Sequence, residues 1–142
     1  MKIKKVIGKI VSVMMVVMAV CSAVPVFGAS VGIAWSGNAS TPGATIETGA
    51  SNKLNGTPVR VWYDEGNSSQ VGCTVWAKNE VGEYVDVTYY GTTYHPYYAP
   101  KKAGYAAISN TAYGTYGNCE VKAYMVTTYA GSHSGRWLPA IY

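Results

Sequence analysis

Apolar and polar residues alternate along several short segments of this chain, and this alternation constrains the fold more than any other feature. In residues 57–63, TPVRVWY, it places Val59, Val61 and Tyr63 on one side. A period of two is the repeat of a β-strand that buries one face, whereas an amphipathic helix repeats its apolar residues three and four apart. Gly, Asn, Ser, Thr and Pro interrupt every window after residue 29, so no amphipathic helix is predicted there. We expect an all-β chain.

Further segments alternate in the same way. Two of them are predicted to bury one set of side chains each: Cys73, Val75 and Ala77 from 72–78, and Val85, Val87 and Tyr89 from 83–90. The other strand candidates are 104–110, 118–129 and 135–142, with weaker segments near 31–36 and 44–48. Turn-forming residues separate these segments, including the Gly- and Ser-rich stretch 131–135. Seven or eight such strands predict an antiparallel two-sheet β-sandwich, immunoglobulin-like or similar.

Residues 1–28 have the three-part composition of a secretory signal peptide. Lysines precede an uncharged apolar run from Ile10 to about Val24, and small residues follow. The run has about 15 residues, fewer than the ~20 that a membrane-spanning helix needs. Cleavage is expected after Gly28, and lipidation of Cys21 is disfavoured by the bulky Val20 before it. The prediction is therefore a removed leader, 1–28, and one exported domain, 29–142, without a transmembrane segment. It would act outside the cell or at the cell wall, and the lysine-led leader is compatible with a bacterial source.

The charge of the chain argues against nucleic-acid binding. The eleven Lys and Arg outnumber the seven Asp and Glu, for a formal net charge of +4. Four of those basic residues and none of the acidic ones lie in the leader, so residues 29–142 are formally neutral. A protein that binds nucleic acid needs a standing basic patch to displace counterions from the phosphates. No nucleic-acid partner is therefore expected.

Two cysteines remain after the leader, Cys73 and Cys119. Each begins the pattern Cys-x-Val-x-Ala, in CTVWA and in CEVKA, so both are predicted to point inward. An even pair in an exported protein favours a disulfide, which could join facing sheets across the core. Two buried free thiols are the alternative.

No motif in the sequence points to catalysis or to a bound metal. GSHSG at 131–135 carries His133 where a nucleophile elbow has its nucleophile, so a solvated turn is the better interpretation. Glu83 and Asp86 lie three apart on a predicted strand and face opposite ways, unlike a glycosidase pair. The cysteine spacing is not that of a zinc site, and the stretch DEGNSS at 64–69 is better explained as a hairpin turn than as a calcium loop. We expect no enzyme activity, no catalytic residue, no metal and no cofactor.

Tyrosine and tryptophan are the one clear excess. The chain has thirteen Tyr and four Trp, while its single Phe, Phe27, lies in the leader. This preference for Tyr over Phe indicates rings whose hydroxyls reach water or a polar partner. Alternation turns two Trp outward, and Pro96 and Pro100 stiffen a Tyr-rich loop after Gly91. The predicted ligand-binding residues are Trp62, Trp76, Tyr94, His95, Tyr97 and Tyr98.

These features favour a small secreted binding protein whose exposed aromatic residues contact an extracellular glycan or a protein. A secreted antibacterial or membrane-acting protein is one alternative, since membrane interfaces favour Trp and Tyr, but residues 29–142 lack a cationic excess. A self-assembling envelope component, joined through exposed strand edges, is another. The same aromatic residues could instead form cross-strand pairs that only stabilise the sheets.

Overall fold

A computed structural model describes residues 32–91 and 97–140. The predicted leader, Tyr94 and His95 lie outside these residues. The elements in chain order are β1 (Ile33–Ala39), β2 (Thr45–Glu47), β3 (Ser51–Lys53), β4 (Val59–Glu65), β5 (Gln70–Lys78), β6 (Tyr84–Asp86), β7 (Tyr97–Pro100), β8 (Ala106–Ile108), α1 (Ala112–Tyr116), β9 (Cys119–Thr127) and β10 (Gly131–Leu138). Among the described residues, none forms a helix long and apolar enough to cross a membrane.

The strands form two antiparallel sheets. One has four strands in the order β1-β10-β4-β8. The other has six, in the order β2-β9-β5-β6, with β3 also paired to β9 and β7 also paired to β5. This architecture confirms the predicted antiparallel β-sandwich. The structure exceeds the expected seven or eight strands because two of the short edge strands, β3 and β7, had no alternation long enough to mark them.

The inward faces of both sheets contribute to one hydrophobic core. Val59, Val61 and Tyr63 of β4 are fully buried, as their alternation predicts. Cys73, Val75 and Ala77 of β5 are equally buried, which confirms the prediction for that strand as well. Full burial of one such aliphatic side chain contributes about 1.5–3 kcal/mol of hydrophobic free energy, so a one-residue register slip in either strand would be costly.

The prediction that Tyr89 is buried is wrong. β6 ends at Asp86, and Tyr89 is 55% exposed. Val87 still donates its N–H to Val75 O of the six-stranded sheet, but Tyr89 donates its N–H to Ser109 O. The backbone changes partners between these two residues, so the alternation of β6 no longer determines where Tyr89 points.

Residues 131–135 form a strand rather than the predicted turn. β10 begins at Gly131 and lies between β1 and β4, so it is a central strand. Its Gly135 is needed for close packing, because a Cβ there would lie 2.0 Å from Trp62 O and 2.8 Å from the Trp35 ring. His133, expected in solvent, is only 2% exposed. Small residues here indicate tight packing and not a chain reversal.

The predicted disulfide is also wrong, since Cys73 and Cys119 are both free thiols. Their strands, β5 and β9, are neighbours in one sheet and do not lie in facing sheets. Cys73 lies opposite Met125, which is six residues along β9 from Cys119. At ~3.3 Å per residue the two cysteines are about 20 Å apart, far beyond the reach of a disulfide. Cys73 is buried and Cys119 partly so, which is close to the alternative of two free thiols.

Candidate functional site

A groove of about 730 Å³ lies on the outer face of the six-stranded sheet. Gly72 of β5 forms its floor, because it lies opposite Tyr98 of β7 on one side and Val126 of β9 on the other. Because Gly72 has no side chain, only backbone separates the side chains of Tyr98 and Val126 in this row of the sheet. The rest of the lining is formed by Pro42, Gly43, Gln70, Cys73, Thr74, Tyr90, Thr127 and Thr128.

The groove is uncharged and partly apolar. Tyr98 is 48% exposed and Val126 is 43% exposed, so each offers an accessible surface to a ligand. None of the described residues that line the groove carries a charge. Gln70, Thr74 and Thr128 supply amide and hydroxyl groups at its edges. An apolar surface with a few polar groups around it is the usual composition of a small-ligand site.

An aromatic pair borders the groove. Trp76 follows Thr74 on the same face of β5, and its ring lies 5.1 Å from that of Tyr124, tilted by 47°. The Trp76 indole donates its Nε1–H to Thr74 Oγ1 at 3.1 Å. This bond and the tilted ring contact hold the indole in one orientation beside the groove.

Charged residues of the same face are paired with one another further along the sheet. Tyr84 donates its hydroxyl to Glu120, and Lys122 Nζ lies 3.4 Å from Glu47 and 4.6 Å from the centre of the Tyr84 ring. Burial and the neighbouring Glu120 raise the pKa of Tyr84 to about 12. The same hydrogen bond lowers the pKa of Glu120. These mutual contacts keep the charge of this face away from the groove.

Trp62 lies on the opposite outer face, that of the four-stranded sheet. Its ring is 5.2 Å from Tyr105 and 5.4 Å from the Arg136 guanidinium. Arg136 in turn holds Asp64 through two hydrogen bonds, of 2.9 and 3.1 Å. These contacts account for an outward Trp without any ligand, through the cross-strand packing that stabilises sheets. Trp62 therefore shares no site with Trp76.

Tyr97 and Tyr98 are separated by strand alternation. Tyr97 packs against the core and donates its hydroxyl to Tyr89 O at 2.8 Å, while Tyr98 lines the groove. Of the four predicted contact residues that the structure describes, Trp76 and Tyr98 alone share an outer face. Gly72 was not among the predicted contact residues, although a lone glycine inside an alternating strand is a recognised sign of close approach by another group.

A second depression, of about 400 Å³, lies beside His133 near Ser36 and Glu65. His133 Nδ1 is 3.0 Å from the Tyr63 hydroxyl, and Nε2 is 3.0 Å from Tyr129 O. The Ser68 N–H also donates to the Tyr63 hydroxyl, at 3.2 Å. A neutral imidazole that donates from Nε2 and accepts at Nδ1 satisfies this chain of bonds. With both ring nitrogens engaged, His133 has a structural role.

The described residues offer no cluster of three or more His, Cys, Asp or Glu that could hold a metal ion. The carboxylates of the DEGNSS stretch are engaged by cations. Asp64 is bound by Arg136, and Glu65 lies 2.7 Å from Lys102 Nζ. The stretch begins with the last two residues of β4, and its residues 66–69 connect β4 to β5, in keeping with its interpretation as a hairpin turn.

Comparison with protein-family models gives no match, and neither does comparison with curated proteins. Among solved structures, a chain of "Structure of infectious bursal disease virus Gx strain" is similar over 75% of this chain and 28% of its own length, at 16% identity and a TM-score of 0.38. This chain therefore spans less than a third of that viral chain.

Proposed function

We propose that this chain is a small exported protein that binds an uncharged extracellular glycan in the groove around Gly72, without catalysis. The observation that supports this proposal is the shape of the groove, in which the backbone of Gly72 lies between the exposed side chains of Tyr98 and Val126. Its volume of about 730 Å³ falls within the ~300–1,000 Å³ typical of ligand sites.

The chemistry of the groove favours a sugar over other ligands. A sugar ring offers an apolar face of C–H groups and a rim of hydroxyls. Tyr98 supplies an aromatic surface for the first, and Gln70 and Thr74 supply hydrogen-bonding groups for the second. The absence of charge among the described lining residues disfavours phosphate and carboxylate ligands, which select Arg and Lys.

Export is part of the proposal and is supported by the sequence of residues 1–28. The mass of the protein recovered from the culture medium of an expressing bacterium tests it. A mature chain that begins near residue 29 is expected, and retention of the full precursor inside the cell would contradict export.

Retention on insoluble glycans tests the binding. The purified protein is mixed with cellulose, chitin or peptidoglycan, and the bound fraction is measured against concentration. Tyr98→Ala should weaken retention about tenfold or more, because truncating a central aromatic hot-spot residue costs about 2 kcal/mol or more. Trp76→Ala should weaken it less, because that ring only borders the groove.

Trp62→Ala is the matched control, since it removes the same side chain from the opposite face of the sandwich. It should leave retention unchanged at equal folded fraction. Salt should also have little effect, because screening weakens only charged contacts. Loss of retention in Trp62→Ala alone, or equal loss in all three variants, would contradict a site at Gly72. If the protein binds an immobilised protein ligand but none of the glycans, the proposal that its ligand is a glycan is contradicted.

A further inference from the structure

The four-stranded sheet has one long edge strand, β1. It has seven residues, IAWSGNA, with no charge and no proline. Among the described residues, β10 is the one strand paired with it. An edge strand of this kind presents unpaired N–H and C=O groups to any other extended chain.

The other edges of the sandwich are shorter or blocked. β8, at the far side of the same sheet, has three residues, as do β2, β3 and β6 of the other sheet. β7 has four and ends in Pro100, which has no N–H to donate. Short strands and prolines are the usual protection of sheet edges. β1 therefore differs from every other described edge.

We propose that β1 pairs antiparallel with β1 of a second copy of this chain, so that two four-stranded sheets become one sheet of eight. The midpoint of β1 is Ser36, and a two-fold axis there places Ser36 opposite its own copy. The remaining rows pair Ala34 with Asn38, Trp35 with Gly37, and Ile33 with Ala39. Each unequal row sets a larger side chain against a smaller one, and no row brings like charges together, so the strand is complementary to itself.

The inner side of β1 is already packed within its own copy, so the new contact is formed mainly by backbone. A Cβ at Gly37 would lie 2.5 Å from Ile46 Cγ2, which covers this part of the strand. Trp35 is buried and donates Nε1–H to Arg136 O at 3.2 Å. One strand pair buries less area than the ~1,200 Å² of a stable interface, so we expect a dimer that forms and dissociates with concentration.

The floor of the groove at Gly72 and the flanking residues Tyr98 and Val126 belong to the six-stranded sheet, whereas the paired edge belongs to the four-stranded sheet. Two grooves in one assembly would bind a repetitive ligand more tightly than either alone. The pairing of β1 does not depend on the nature of that ligand, and its test needs none.

Cysteine crosslinking tests the register. In a Cys119→Ser background, Ser36→Cys should give a covalent dimer under mild oxidation, because directly opposed Cα atoms lie ~4.5–5.5 Å apart, within disulfide reach. Asn38→Cys alone should not crosslink, because residue 38 of the second copy would lie four residues further along the paired strand, about 13 Å away. A mixture of the Ala34→Cys and Asn38→Cys proteins should crosslink, since these positions face each other.

Sedimentation of the chain without added cysteines gives an independent readout. Ser36→Lys should raise the dimer dissociation constant about tenfold or more, because it sets two ammonium groups opposite each other. Ala107→Lys, an exposed position on the opposite edge strand β8, is the control and should have no effect. A monomer at all concentrations up to about 1 mM, or equal crosslinking from Ser36, Ala34 and Asn38 alone, would overturn the proposal.

Discussion

Replacing Gly66 with alanine should disrupt the buried hydrogen bond between Tyr63 and His133. Gly66 lies in the turn after β4 with a φ of +147°, a conformation that other residues rarely adopt. A Cβ there would lie 2.1 Å from the Tyr63 Oη and 2.4 Å from His133 Nδ1. Those two atoms are the ends of the 3.0 Å hydrogen bond. Both side chains are buried, so neither has room to retreat without disturbing the core.

Two costs set the magnitude. A residue other than glycine held in such a backbone region costs about 1–3 kcal/mol. Separating the Tyr63–His133 pair leaves buried polar groups unsatisfied, at about 1–3 kcal/mol. Gly66→Ala should therefore lower the free energy of unfolding by about 2–6 kcal/mol. For a domain of this size, that corresponds to a fall in Tm of roughly 8–24 °C.

Urea denaturation followed by tryptophan fluorescence measures the difference. Gly49→Ala and Gly56→Ala are matched controls, because neither position has a positive φ and neither added Cβ would have an atom within 4 Å. Both should stay within about 0.5 kcal/mol of the unsubstituted protein, as surface changes usually do. If Gly66→Ala unfolds at the same urea concentration as these controls, the tight packing of Gly66 on Tyr63 and His133 is refuted.

Two further predictions concern ionisable groups. A thiol reagent should label Cys119 in the folded protein and Cys73 only after unfolding, since burial raises the pKa of Cys73 to about 12. Mass spectrometry that finds the two joined, or equal labelling rates, would contradict this. Raising the pH from 10 to 12 should destabilise the fold, because Tyr84, with its pKa raised to about 12 by burial and by Glu120, stays protonated when folded but ionises near 10 when unfolded. Tyr84→Phe should reduce that pH dependence, and an identical slope in both proteins would contradict it.

Strand alternation predicted the fold where each strand is regular along its length. In β4 and β5 the period of two determines burial by itself, so the core positions of both were predicted correctly. It failed where pairing between distant segments decides the conformation. Tyr89 is exposed because its backbone is bonded to Ser109 and not to β5, and His133 is buried because β10 enters between β1 and β4. The alternation within a short segment does not indicate which distant segment it will pair with.

The candidate site was predictable only in part, for a similar reason. Alternation pointed Trp62 and Trp76 away from the core, but the sheet that holds each strand decides which outer face each occupies. Tyr98 was identified as a contact residue without its partner Val126, which is over 25 positions away and reaches the groove only through the pairing of β5 with β7 and β9. Gly72 is the one local feature of the sequence from which the groove could have been predicted, because it interrupts the side chains on the outer face of β5.

Gly72→Leu would fill the groove with a side chain and so shows whether a ligand binds there. Gly72 lacks a positive φ, and an added Cβ would have its nearest atoms at 3.8 Å in Tyr98 and 3.9 Å in Val126, which is ordinary contact. The fold should therefore accept the side chain with an unchanged or higher Tm, because glycine inside a strand costs about 0.5–1 kcal/mol relative to alanine.

The measurement is the dissociation constant of Gly72→Leu for the glycan that the unsubstituted protein retains, with Gly49→Leu as the control for an added leucine. The proposed site predicts binding at least about tenfold weaker in Gly72→Leu and unchanged in Gly49→Leu, with both proteins folded. Binding by folded Gly72→Leu as tight as that of the unsubstituted protein would contradict a ligand site in this groove.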